Sequence, residues 1–274
     1  MNCRSKVTLI AASFWLAASA QALEAKLNKD DLPVLAPEVQ HETASKRVTS
    51  RFTRSHYKHF NLNDDFSKAI FERYVEMLDY NRNIFTQADI DSFKDWSISL
   101  DDQLKAGNNK IAFDVYNLSM QKRFDRFAYA LTLLDKEIKF DTDEFIELDR
   151  SEAAWPKDKA ELNELWRKRV KYDALNLKMT GKEWPEIKEV LEKRYNNAMK
   201  RITQTRNEDA FQLYMNAFAR EVDPHTSYLS PRNAEQFQSE MNLSLEGIGA
   251  VLQMTDDYTA VSYTHLTLPT NREV

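Results

Sequence analysis

"FDVYNLSMQKRFDRFAYALTLL", residues 113–134, carries the clearest hydrophobic period in the chain. Phe113, Tyr116, Met120, Phe124, Phe127, Leu131 and Leu134 step by three or four residues throughout. Side chains at that spacing share one face of an α-helix, so the segment from Lys110 to Ile138 is predicted to hold a helix roughly seven turns long. Rings on so regular a stripe are assigned to a thick, well-packed core rather than to stacking on a cofactor.

Working outward, the flanks read as more helix. Upstream, Val48, Phe52 and Phe60 mark one amphipathic stripe. Asn63 has the character of an N-cap, followed by Phe66, Ile70, Tyr74 and Leu78 on one face. Thr86 and Asp89 have capping-box spacing, Ile90, Phe93, Leu100 and Leu104 follow, and Gly107 is placed to end that helix. Phe140 to Pro156 breaks the period. Helices are predicted around Asp158–Met179 and Pro185–Gln204, with Gly181 between them and Pro185 at a first helical position. Another is predicted over Asn207–Val222, with Phe211, Tyr214, Met215 and Phe218 inward. No repeat of roughly 30 to 50 residues is present, which argues against a solenoid. The fold class is therefore mainly α, with a multi-helix domain over residues 40–222. Pro224 stops the last helix. Ser230-Pro231 restarts one, with Phe237 and Met241 expected to face inward. After Asn242 the pattern turns β-like.

Composition agrees with long solvated helices. The chain has 274 residues, 30% of them charged, and only 4 glycines. A net charge of -5 argues against a general nucleic-acid binder, which needs a basic footprint. Residues 1–22 read as a secretory signal peptide: Arg4 and Lys6, then apolar Val7 to Ala18, then Ala20-Gln21-Ala22 as the cleavage pattern. Residues 23–39 read as an extended arm. No later apolar run is long enough to span a membrane, so the mature protein is expected to be soluble. The only cysteine, Cys3, lies in the leader, which leaves no disulfide or cysteine chemistry in the mature chain. A bacterial periplasm suits these features best.

Few residues invite chemistry. His56 and His59, three apart, sit among Lys46, Arg47, Arg51, Arg54 and Lys58; without a nearby carboxylate they make a poor metal site, and the basic run reads first as a solvated helix face or as pairing with acidic segments elsewhere. Phosphate or an anionic surface is the other reading of that run. Asp223, His225 and Ser227 hold triad letters, but their closeness in sequence favours turn chemistry over a catalytic triad. No G-x-S-x-G elbow is present. No cofactor or metal is expected.

Two of the scarce glycines, Gly247 and Gly249, flank Ile248 immediately before a strand-like run, Ala250 to Met254. Without side chains there, neighbouring amides can converge on an anion, and the strand that follows offers an edge to an extended peptide. A bulge or bend is the other reading of G-x-G before a strand.

"DPHTSYLSP", residues 223–231, followed by "EGIGAVL", residues 246–252, resembles the C-terminal processing, or tail-specific, proteases of the long bacterial periplasmic type. The resemblance covers roughly residues 1–258. It implies a helical N-terminal domain, an inserted PDZ domain starting within 223–258, and a serine protease core using a serine and a lysine without cofactor. Those two catalytic residues are expected beyond residue 274, so none is assigned here and the chain alone is expected to be inactive. The resemblance also implies protein substrates with apolar C-terminal tails, a membrane-anchored lipoprotein adaptor in long members, and no nucleic acid. Their free carboxylate would meet the amides of Gly247, Ile248, Gly249 and Ala250, with Leu245 and Leu252 lining the apolar pocket. Residues 259–274 depart from the family's pattern and read as foreign sequence joined to a genuine start. The competing reading is a periplasmic helical interaction protein that catalyses nothing.

Overall fold

A computed structural model describes residues 27–242, 250–255 and 258–264. The leader 1–22, Leu245, the glycine pair with Ile248, and residues 265–274 lie outside the described residues. Among those described, α1 (Val39–Ser55), α2 (Asp64–Leu78), α3 (Gln87–Ser92), α4 (Lys94–Ser97) and α5 (Leu100–Ala106) lead to the long α6 (Lys110–Thr132). Then come α7 (Lys159–Met179), α8 (Trp184–Thr203), α9 (Asn207–Val222) and α10 (Pro231–Met241), and a strand pair, β1 (Ala250–Thr255) and β2 (Tyr258–Thr264). The protein is mainly α, as its hydrophobic periods predict.

Helix starts follow cap chemistry. A side-chain oxygen satisfies an amide that has no partner within the helix. Asn63 Oδ1 accepts from Phe66 N at 3.1 Å, Asp158 Oδ1 from Glu161 N at 2.9 Å, and Ser230 Oγ from Asn233 N at 3.4 Å. Thr86 and Asp89 form the reciprocal capping box. Pro185 stands one place later than expected, because Trp184 opens α8.

Where a single helix is expected between Thr86 and Gly107, three short ones form. Ser92, Ser97 and Ser99 each turn a hydroxyl onto the carbonyl three residues back, at 2.6, 2.7 and 3.1 Å. The breaks themselves fall where the backbone tightens to i→i−3 bonds, Phe93 N to Ile90 O at 3.1 Å and Ser99 N to Trp96 O at 3.2 Å. Gly107 does end α5, in the left-handed region at φ 72°. A Cβ there would lie 2.7 Å from the Glu42 carbonyl oxygen, so α1 can approach α5 only over a glycine. Helix α1 ends at Ser55; Phe60 therefore lies beyond it, although its ring still stacks on Phe66 at 4.7 Å and packs on the same core.

The helices enclose two apolar clusters. One gathers side chains of α2, α5, α9 and the first half of α6, including Ile70, Tyr74, Phe113, Met120, Phe211 and Phe218. The other gathers α7, α8, the end of α6 and the turn just past it, through Leu162, Trp166, Val170, Leu191, Ala130 and Leu134. Helix α6 belongs to both, and partly buried Phe127 borders both. The connection between α6 and α7, without α-helix, is held down by polar contacts. The Arg82 guanidinium donates to the Ala153 carbonyl, Gln87 N donates to Pro156 O at 2.8 Å, and Glu144 pairs with Arg167 at 2.9 Å. Inside the first core, Tyr74 donates to Ala112 O at 2.8 Å, whereas the buried Tyr214 hydroxyl has no hydrogen-bond partner among the described residues. Burial pushes the Tyr214 phenol pKa up.

Helix α10 departs from expectation. Phe237 and Met241 are 54% and 67% exposed, not inward, and no residue of the helix is buried. Periodicity identifies an apolar face but not what meets it, and α9 takes its neighbours from elsewhere. The strand pair is antiparallel, with Leu252 opposite Val261 and a bulge between Val251 and Leu252 that leaves Ser262 out of register. The boundary placed between residues 258 and 259 falls inside this pair.

Replacing Gly107 by alanine is expected to lower stability by about 1–3 kcal/mol in urea unfolding, from left-handed strain alone. Tyr214→Phe is expected to cost nothing or to add up to about 1 kcal/mol, since it removes an unpaired buried hydroxyl. A Tyr214→Phe loss well beyond that would mean the hydroxyl has a partner.

Candidate functional site

The end of α9 and the segment returning from it lead from the helical core into α10. Asp223 N still donates to Ala219 O at 3.0 Å, and then Pro224, lacking an N–H, ends the helix. Thr226 N donates to Asp223 O at 3.0 Å, closing the turn that Asp-Pro-His-Thr predicts. The Asp223 carboxylate accepts from the Tyr57 hydroxyl at 2.5 Å and from His225 N at 2.9 Å. Those two bonds, the Tyr57 hydroxyl first, hold its pKa below the usual carboxylate range.

The chain then runs back along α9, where three polar residues four apart receive it. Asn216 clamps the Tyr228 backbone from both sides, Oδ1 accepting from Tyr228 N at 2.8 Å and Nδ2 donating to Tyr228 O at 3.0 Å. Gln212 Oε1 accepts from Ser230 N at 3.2 Å and from Asn233 Nδ2 at 2.9 Å. Glu208 Oε1 accepts from the Tyr228 hydroxyl at 3.3 Å. Its other oxygen lies 3.0 Å from Nε2 of buried His41. His41 Nδ1 accepts from Glu38 N at 3.0 Å, so the proton sits on Nε2 and points at Glu208. The imidazole stacks on Phe211 at 4.4 Å. One polar face of α9 thus fixes both the start of α1 and the approach to α10.

The triad letters do not form a triad. His225 is 92% exposed, its Nδ1 lies 3.5 Å from Asp223, and no hydrogen bond joins it to Ser227. His56 and His59 do not share a helix face either, because α1 has already ended; His56 Nε2 meets Thr226 Oγ1 at 3.1 Å instead. Among the described residues no group of three His, Cys, Asp or Glu could hold a metal ion. Of the six residues expected to meet a substrate terminus, Ala250 and Leu252 are described. Ala250 opens β1 opposite Thr264, and Leu252 is 57% exposed. Leu245, Gly247, Ile248 and Gly249 lie outside the described residues. Sequence reasoning missed Tyr57 and the trio Glu208, Gln212 and Asn216; the four-residue spacing of that trio was the available signal.

The tail specific protease N-terminal domain model matches residues 48–232, from within α1 to the first turn of α10. The chain belongs to the tail-specific protease family. That match takes in the α9 clamp and the Asp223 turn. A curated tail-specific protease of Haemophilus influenzae is 48% identical over 241 residues, which are 88% of this chain and 35% of that protein. The chain thus spans about a third of the length of this tail-specific protease relative. The B melanoma antigen family model matches residues 1–36 alone, too short a share to assign a family.

Asn216→Ala is expected to destabilise the chain by about 1 kcal/mol, because it removes both hydrogen-bond partners of the half-buried Tyr228 peptide groups. Faster hydrogen exchange at the Tyr228 amide would report it. The Asp223 contacts favour its ionised form, so they stabilise the turn above about pH 4 and fade as acid titrates the folded carboxylate. The Tyr57 ring and the His225 backbone amide, both bonded to the Asp223 carboxylate, should shift together in NMR as that carboxylate is protonated, and in Asp223→Asn that joint shift should vanish.

Proposed function

We propose that this chain is part of a periplasmic serine endopeptidase that selects proteins by their apolar C-terminal tails. The observation that carries the reading is the family match, which runs through the clamp into α10. An antiparallel strand pair follows it, and Gly247-Ile248-Gly249 immediately precedes that pair. An extended peptide adding to the β1 edge would gain main-chain hydrogen bonds there, which is the physics of strand addition. Its free carboxylate would be held by the amides of Gly247, Ile248, Gly249 and Ala250, and its last side chains by Leu245 and Leu252. In this reading the segment is the start of a PDZ domain, and the clamp sets where that domain leaves the helices.

Hydrolysis then belongs to a serine activated by a lysine, carried by a part of the protein outside this chain and needing no metal. The basic, apolar and small-residue order of residues 1–22 supports export to the periplasm. A membrane-anchored lipoprotein adaptor is a compatible partner.

The test uses the full-length protein containing this sequence and a fluorescein-labelled peptide ending in a free apolar residue. Gly249→Trp is expected to weaken binding at least about tenfold by anisotropy, because a bulky side chain fills the carboxylate cradle. Amidating the peptide should have a similar effect. The 274-residue chain alone should leave the peptide uncut. Unchanged affinity in both arms, or turnover by this chain, would overturn the proposal.

A further inference from the structure

Helix α1 carries Arg47, Arg51 and Arg54 at spacings of four and three, so the three share one face. All three are exposed, and no carboxylate among the described residues pairs with any of them. The neighbouring Lys46, by contrast, is already paired with Glu42 at 2.5 Å. A chain with net charge -5 thus carries three exposed arginines along one helix face that no described carboxylate neutralises. Beside them the return segment Ser227–Leu229 comes over α1 and leaves a cleft of about 300 Å³. Val48, Phe52, Tyr228 and Leu229 line it, and Arg47 and Arg51 complete its walls. Leu229 is 38% exposed there.

A shallow apolar cleft bordered by two arginines offers an apolar floor and positive charge side by side. A lone carboxylate has no use for the floor, and a purely apolar side chain has none for the arginines. We infer that this cleft docks an acidic peptide segment of a partner protein, with one large apolar side chain seated on Val48, Phe52 and Leu229 and flanking carboxylates on Arg47, Arg51 and Arg54. Guanidinium forks suit carboxylates because two parallel N–H bonds can be made to each. The hollow separates this occupant from a lipid surface. A membrane would wet the arginines but needs protruding apolar groups, not a pocket of side-chain size at the low end of ligand-site volumes. The site lies on the helical domain and uses none of the residues of the proposed Gly247–Ala250 cradle.

The probe is a fluorescein-labelled peptide, Glu-Asp-Leu-Asp-Glu, amidated so that it presents no free C-terminal carboxylate. Titrated with the full chain, it is expected to bind, and to weaken at least about tenfold in the Arg47→Glu, Arg51→Glu double variant. Arg47→Gln with Arg51→Gln should show a smaller loss in the same direction. These positions are exposed, so circular dichroism should match the parent. Replacing the peptide leucine by serine should weaken binding about fivefold or more, which separates a seated side chain from diffuse attraction. No binding to the parent overturns the inference, as does equal binding by the leucine and serine peptides, or by the parent and double variant. Sedimentation with phosphatidylglycerol vesicles that is lost in the double variant, without peptide binding, overturns it in favour of a lipid surface.

Discussion

The hydrogen-bond pair between the Asn216 amide and the Tyr228 backbone is the constraint on which the exit from this domain depends. A chain leaving a buried helix end carries peptide groups that must find partners, and most returning segments find them in water or in a neighbouring strand. Here one side chain supplies both donor and acceptor to a single residue, and Gln212 and Glu208 continue the reception along the helix. The outer face of α9 therefore acts as a template for the backbone, while its inner face, with Phe211, Tyr214, Met215 and Phe218, fills the core. Arg73 pairs with Glu221 at 2.7 Å and ties α2 to the last turn of the same helix. Rigidity in the core is thus transmitted to the residues that aim α10.

His41 extends this template in the other direction. The imidazole joins the beginning of α1 to Glu208, and Glu208 joins it to Tyr228. Segments separated by 167 positions are coupled through one carboxylate. Buried polar networks of this kind are costly if half satisfied, because desolvation is then uncompensated. Each atom of this one has a partner, and so it fixes geometry rather than weakening the core.

Much of this was legible in the letters. The α6 stripe, the bounds of α9, the caps at Asn63, Thr86 and Ser230, and the αL glycine at 107 follow from local chemistry, which a sequence records directly. What stayed hidden depends on partners. The segment between Thr86 and Gly107 divides where i→i−3 backbone bonds replace the α ladder, at Phe93 and Ser99, and a hydrophobic period is blind to that change. Phe237 and Met241 form a sound apolar face that the helices leave exposed. Glu208, Gln212 and Asn216 look like any solvated stripe until a returning backbone is laid over them. The carboxylate cradle was read from residues that are mostly outside the described structure; of the two residues read as an apolar pocket, Leu252 is described and is exposed.

The shared membership of α6 in both cores bears on how such a domain can be inherited. A crossover after Leu134 would expose Ala130 and Leu134 and remove the helices that cover them. A gene piece starting at α7 would lack its apolar floor. Neither half is a self-sufficient module, so recombination has to exchange the helical region whole, and divergence within it has to proceed by matched substitutions on both sides of one continuous helix.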